Sequence, residues 1–432
     1  MAAGIARDLR AGSLVPKGMR PTWKLAFVAP RFADDRAVGG AETLLRQLAE
    51  RMAAGGHEVS FLTTCAVDHR TWKNDRRPGV QSYGNLRVRF FPVDEDRDGG
   101  AFIRLQEKVG RLGALEPPEE ITWYRNNVHS TALYRHLSTR AADLDFIIVG
   151  PYLFGISIAV ARAYPEKALM VPCLHDEPFA RLGPVRRSFG SCRGFLFNSV
   201  PEMKLAQRLY GINPERCAVV GMGLESFDCD GDRFRRRHGL RSPYVIYSGR
   251  REPLKGTPLL IEYMKALRKR QGIHVHLVLT GSGEVPLAGA EREWIHDLGI
   301  LPEQEKYDAM AGALLFCHPS SLESLGIVVL ESWLALTPVL VNARSEVLRN
   351  HCHSSGGGLW FRNYPEFEEG FLYLLQHEEL RCRMARQGRQ YVLREYSWSS
   401  VEKRLTAALE AFCRLPPPSD VELRQTTASE GT

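Results

Sequence analysis

The 432-residue sequence has no run approaching the 18 or so consecutive apolar residues that a membrane-crossing helix needs. It also lacks any Cys-x-x-Cys pair. Its cysteines (Cys65, Cys173, Cys192, Cys217, Cys229, Cys317, Cys352, Cys382, Cys413) are scattered and odd in number, and several sit inside apolar strand-like segments. That distribution speaks against a disulfide scaffold or a zinc site and fits reduced, packed thiols in a cytosolic protein. No repeat of solenoid period is present. The first twenty residues carry arginines without a long apolar core, so 1–20 reads as a mobile lead and not a secretory signal. The tail 415–432 has the composition of disordered chain.

A composition of 44% hydrophobic and 25% charged residues is that of a soluble globular protein, and the length exceeds one ordinary core, so two domains are expected. The formal charge of +7 permits an anionic partner without choosing among nucleotide phosphates, an acidic membrane surface and nucleic acid. Strand patterns at Lys24–Ala29, His57–Thr64, Leu86–Pro92, Asp145–Val149, Ala168–Leu174 and Gly194–Ser199 alternate with helical stretches such as Ala41–Ala54. The pattern restarts at Arg241–Ser248 and continues through His274–Thr280, Ala313–Cys317 and Pro338–Val341, after a Gly- and Asp-rich linker over Val219–Asp232. Alternation of this kind predicts α/β architecture with two doubly wound parallel sheets and ligands at the strand carboxyl ends.

The most informative stretch is His318–Val341, in which a Pro-Ser-Ser-Leu-Glu-Ser loop joins a strand to an apolar helix. A helix starting near Ser324 or Leu325 places Glu323 at its mouth and Glu331 about two turns in, roughly 12 Å along. Free N–H groups at such a start favour an anion. Two ordinary glutamates on a buried helix would look the same, so the neighbouring patterns decide. Gly39-Gly40-Ala41-Glu42 follows the first strand, where glycines permit close backbone approach to a ligand. His175-Asp176 follows the strand ending in Cys173-Leu174, where a histidine can meet a sugar hydroxyl or simply sit on a surface loop. Arg250 and Lys255 share one loop ahead of a helix and can clamp a diphosphate. Gly281-Ser282-Gly283 is a sharp turn after a strand, and Leu298–Leu301 follows it.

Together and in this order the five patterns resemble the retaining GT-B glycosyltransferases of the family 4 type (glycosyl transferases group 1), from about Pro21 to Arg414. The resemblance implies an acceptor-side Rossmann-like domain over 21–220, a nucleotide-sugar donor domain over 221–396, and a last helix, 397–414, that crosses back to the first domain. It implies catalytic roles for His175, Glu323, Arg250 and Lys255. Gly39, Gly40, Arg250, Lys255, Leu325, Gly326 and Ile327 would meet the donor diphosphate, His175 and Glu323 the donor sugar, Glu331 the ribose, and Ile300 and Leu301 the base. Gly326 would be small so that a pyrophosphate could lie on the helix end.

The implied reaction moves a sugar, with retention of configuration, from a UDP-, GDP- or ADP-sugar to a hydroxyl acceptor, which includes lipid-linked acceptors. No Asp-x-Asp stands in the matched positions, so Arg250, Lys255 and the helix dipole are expected to replace a metal, with no cofactor required. Two departures bear on specificity: Leu336 stands where the family usually has glycine before Thr-Pro, and Asn342-Ala343-Arg344-Ser345 replaces a usual Gly-Gly. A nucleotide-sugar 2-epimerase would use the same clamp. A non-catalytic nucleotide-binding or membrane-docking protein is the reading from another class. For the latter, Phe102, Leu105, Val109 and Leu112 with Arg104, Lys108 and Arg111 could form an amphipathic helix at an anionic membrane, peripheral at its inner face, over 101–113. An ordinary surface helix has the same pattern. Nucleic-acid binding has no support beyond net charge.

Overall fold

The computed structural model describes residues 22–34 and 39–418; the lead expected over 1–20 and the tail beyond 418 lie outside them. Strands β1 (Lys24–Val28), β2 (Glu58–Thr64), β3 (Gly79–Tyr83), β4 (Leu86–Phe91), β5 (Phe146–Val149), β6 (Ala168–Met170), β7 (Gly194–Phe197) and β8 (Cys217–Val219) form one sheet. Its order is β3-β4-β2-β1-β5-β6-β7-β8, parallel throughout except for the antiparallel β3–β4 edge. Strands β9 (Tyr244–Ser248), β10 (His276–Thr280), β11 (Ile295–Asp297), β12 (Leu315–His318), β13 (Val339–Asn342) and β14 (Gly358–Phe361) form a second, wholly parallel sheet in the order β11-β10-β9-β12-β13-β14.

Both sheets are wound outward in two directions from a central pair, β1/β5 in the first and β9/β12 in the second. The crossovers on either side of such a pair diverge and open a crevice at the strand carboxyl ends. Central strands such as Phe146–Val149 and Val339–Asn342 are buried at every position, which is why they read as continuous apolar runs without alternation. The short edge strands β3, β8, β11 and β14 escape that pattern.

Three structural differences from the sequence reading have physical causes. The strand predicted over Ala168–Leu174 stops at Met170, and the chain then passes through Cys173, a non-glycine residue at φ +52°. The stretch after β4 contains two helices, Gly99–Leu112 and Pro117–Arg125. In the first of them Val109 is buried, and Phe102 and Leu105 pack against the core, with Phe102 stacked on Trp123 at 6.1 Å. Lys108 is paired with Glu119 at 2.6 Å. The apolar stripe of 101–113 is therefore turned inward, leaving Ile103, Arg104, Arg111 and Leu112 outside. Among the described residues no helix is long and apolar enough to cross a membrane. The cysteines are all unpaired.

Helix Trp398–Arg414 packs on β7 and β8 of the first sheet after the chain leaves the second. Arg193 fastens it by donating to the carbonyls of Phe412 (2.9 Å) and Leu415 (2.6 Å). One hydrophobic cluster runs from Phe27 and Phe61 in the first sheet through Trp398 and Leu409 to Phe316 and Trp333 near the second. The two halves are thus joined by packed side chains as well as by the linker.

Candidate active site

The Glu323 loop leaves the end of β12 and the Arg250 loop leaves the end of β9, the central pair of the second sheet. Helix Ile327–Leu334 begins later than predicted, at Ile327, because Gly326 caps it at φ +74° and ψ +49°. This left-handed conformation, together with Leu348 Cδ2 lying 2.6 Å from where a Cβ would sit, accounts for the glycine without any appeal to a ligand. Among the described residues the amides of Leu325, Gly326 and Ile327 have no acceptor. His351, on helix Glu346–Ser355, holds the Leu325 carbonyl at 2.9 Å and the Tyr391 hydroxyl at 3.0 Å. Asn342 holds the Pro319 carbonyl at 2.9 Å. These two hydrogen bonds brace the loop.

Glu323 is gripped through a single oxygen. Lys255 Nζ lies 2.6 Å from Oε1 and His318 Nε2 lies 3.1 Å from the same atom, while Oε2 has no partner among the described residues. Burial alone would push this carboxyl up. Lys255 and His318 overcome that and hold it well below the usual carboxylate range. Lys255 and Arg250 therefore do not stand as a matched pair: Lys255 is engaged with Glu323, and Arg250 is half exposed beside Glu252 at 3.4 Å. His318, 2% exposed and sandwiched by Tyr247 and Phe316, was not singled out in the sequence.

Glu331 is buried and paired through Oε1 with Lys306 at 2.8 Å, while its Oε2 is buried without any partner among the described residues. Burial raises its carboxyl above the usual value against the pull of Lys306. An unsatisfied buried carboxylate oxygen is costly, so it marks a place where a hydroxyl donor is wanted. The Gly281-Ser282-Gly283 turn packs so closely on Gly249 that a Cβ at Gly281 would overlap the Gly249 carbonyl. Arg251, which the sequence reading left without a role, is buried and ties the two loops together through the carbonyl of Gly283 and through Asp297. Gly281 also donates to the Gly299 carbonyl at 2.7 Å, which brings Ile300 and Leu301 alongside; Ile300 is 77% exposed and Leu301 is partly buried.

From the first sheet, Gly40 opens helix Gly40–Ala54 with Ile327 Cδ1 3.7 Å from its would-be Cβ, so the first and fifth patterns face each other. Gly39 lies against Glu42, whose carboxylate is paired with the buried Arg31 at 2.5 Å; here the chain itself fills the space that a side chain would take. Ser199 donates to the Ser324 carbonyl at 2.9 Å across the cleft. His69 on this side is pushed down by burial and by the fields of Arg31 and of Arg250 in the other domain. His175 lies beyond the Cys173 kink with Nδ1 3.6 Å from Glu177, which in turn feels Lys255. The structure thus sets Gly40 against Ile327, joins Lys255 and His318 to Glu323, places Glu177, beside His175, within the field of Lys255, and places His69 within that of Arg250. Glu331 lies farther along the helix.

Comparison with known proteins agrees with this fold. Residues 230–391 match the family described as glycosyl transferases group 1. A D-inositol 3-phosphate glycosyltransferase of Acidothermus cellulolyticus is 29% identical over 386 residues, covering 84% of each chain. Sucrose-phosphate synthase from Thermosynechococcus elongatus superposes with a TM-score of 0.65 at 17% identity, covering 90% of this chain and 98% of its own. An Anabaena protein solved with UDP-glucose gives a TM-score of 0.64 at 15% identity, covering 90% and 100%. Residues 230–391 are thus similar to the glycosyl transferases group 1 family, and the two facing sheets are those of the GT-B fold.

Proposed function

We propose that the protein transfers a glycosyl group from a nucleoside-diphosphate sugar to a hydroxyl acceptor with retention of configuration and without a divalent metal. The observation that carries this reading is the asymmetric grip on Glu323: one oxygen is saturated by Lys255 and His318, and the other is left to accept hydroxyls of the donor sugar. The free amides of Leu325, Gly326 and Ile327 suit the diphosphate, and Glu331 Oε2 suits a ribose hydroxyl. Arg250 and Lys255 supply the positive charge against which the leaving diphosphate develops its own.

In the proposed step the bond from the anomeric carbon to the phosphate oxygen breaks. The acceptor oxygen bonds to that carbon on the same face, and the acceptor proton passes to the departing phosphate. His175 contacts the donor sugar from the opposite domain. UDP-sugars are the donors to try first, because the Anabaena neighbour was solved with UDP-glucose, and phosphorylated polyols are the first acceptors, following the relative's name. A panel of nucleotide-sugars, with the release of nucleoside diphosphate by slow hydrolysis as readout, tests the reading. Release from one donor, undiminished in a chelator, supports it. Failure of every donor to bind or turn over overturns it, and activity lost in chelator and rescued by Mn²⁺ overturns the metal-free part.

A further inference from the structure

The residue two places after His175 is a carboxylate that the motif reading passes over. Glu177 Oε1 accepts a hydrogen bond from the Tyr152 hydroxyl at 2.7 Å and lies 3.6 Å from His175 Nδ1. Tyr152 is a fixed anchor: it is 2% exposed, its amide donates to the Pro172 carbonyl at 3.0 Å, and its ring packs on Phe189. The Glu177 amide closes a tight turn onto the His175 carbonyl at 3.0 Å. Burial pushes the Glu177 carboxyl up, but His175, the Tyr152 hydroxyl and the field of Lys255 across the cleft together hold it below its usual value. A negative charge is thus kept in a set place beside one ring nitrogen of His175.

We propose that Glu177 is a positioning residue that accepts a hydrogen bond from His175 Nδ1–H and so presents Nε2 as a hydrogen-bond acceptor for the donor sugar. A neutral imidazole carries one N–H, so fixing it on Nδ1 leaves the Nε2 lone pair for a hydroxyl. The 3.6 Å separation must shorten by roughly 0.5 Å to become a good hydrogen bond. A small imidazole rotation achieves this, and such contacts commonly tighten when substrate engages. The inference rests on the proposed donor-sugar contact of His175.

Two measurements on the full chain test it. Glu177→Gln keeps the side-chain size and an acceptor for Tyr152 but removes the charge. Its expected signature is unchanged thermal stability, UDP affinity within about twofold of wild type, and turnover of the UDP-sugar reduced at least about tenfold, with partial rescue in Glu177→Asp. Retained turnover, or UDP affinity and thermal stability falling together with it, would overturn the proposal. Long-range ¹H–¹⁵N spectra of histidine-labelled protein, with His175→Gln identifying the signal, read the tautomer without any turnover. Wild type should show the Nδ1–H form, and Glu177→Leu, which offers no oxygen to Nδ1–H, should lose it. An Nε2–H form in wild type refutes the inference. A chain inactive on all donors that still shows the Glu177-dependent tautomer would refute the proposed reaction and leave the positioning role standing.

Discussion

Replacing Lys255 with alanine removes the strongest contact to Glu323 and exposes two separable effects. The pair is largely desolvated, with side-chain exposures of 21% for Lys255 and 12% for Glu323. Breaking a fully buried pair typically costs about 3–5 kcal/mol. Here water reaches Lys255 and His318 still donates to the same carboxylate oxygen, so about 1–2 kcal/mol of stability should be lost. Catalysis should suffer more if Lys255 is, as proposed, a fixed cation beside the developing phosphate charge; a loss of about 10²–10³ in kcat is expected. In Lys255→Ala/Glu323→Gln the unpaired carboxylate is also gone, so stability should recover to within about 0.5 kcal/mol of Glu323→Gln alone while activity stays absent. Urea unfolding of the four proteins, with donor hydrolysis measured in parallel, provides the cycle. Additive stabilities, or a Lys255→Ala enzyme of near-normal turnover, would refute the reasoning.

Three further outcomes follow from particular contacts. His351 is buried under the Leu325 carbonyl, and burial pulls its imidazole down to about 4 from the ordinary 6.5. The unfolded chain therefore binds the proton first as pH falls, and this group should remove about 3 kcal/mol of stability between pH 6.5 and 4. His351→Gln should lack that drop in urea unfolding across the range, and a difference from wild type that does not vary with pH would contradict the assignment. Leu336 occupies the glycine position of a helix C-terminus at φ +58°, with Thr337 donating to the Ser332 carbonyl at 2.9 Å, so Leu336→Gly should raise stability by about 1 kcal/mol in thermal unfolding. Glu331→Gln should weaken UDP binding roughly tenfold by calorimetry, with little change in kcat at saturating donor, because its free oxygen is proposed to serve the ribose and not the reacting carbon.

The fold was legible because its central strands are buried on both faces and its loops carry glycine, so alternation of elements and the restart near Arg241 could be read directly. The short edge strands β3, β8, β11 and β14 were not, since few residues and partial exposure leave no periodic signal. The helix expected from Ser324 or Leu325 begins at Ile327 because Gly326 adopts a left-handed cap, which chain order alone does not distinguish from a first helical turn. In the site, the sequence could mark Glu323, Lys255, Arg250 and His175 but not their pairings. Lys306 reaches Glu331 across 25 residues and Lys255 reaches Glu323 across 68. His318 adjoins a recognised loop, so a histidine closing a buried strand just before it was the available signal. Arg251 belongs to none of the motifs; only the contact of the Gly249 and Gly281 loops shows it buried and tying them together. In 101–113 the pattern gave no sign of Trp123, which lies in the following helix and stacks on Phe102.

The central claim is that Glu323, held through one oxygen, offers the other to a donor sugar. Its most direct test compares wild type with Glu323→Gln for binding of UDP and for release of UDP from UDP-sugar. Both proteins should bind UDP with similar affinity, and only wild type should release it from the sugar nucleotide. Equal turnover by the two proteins would contradict it.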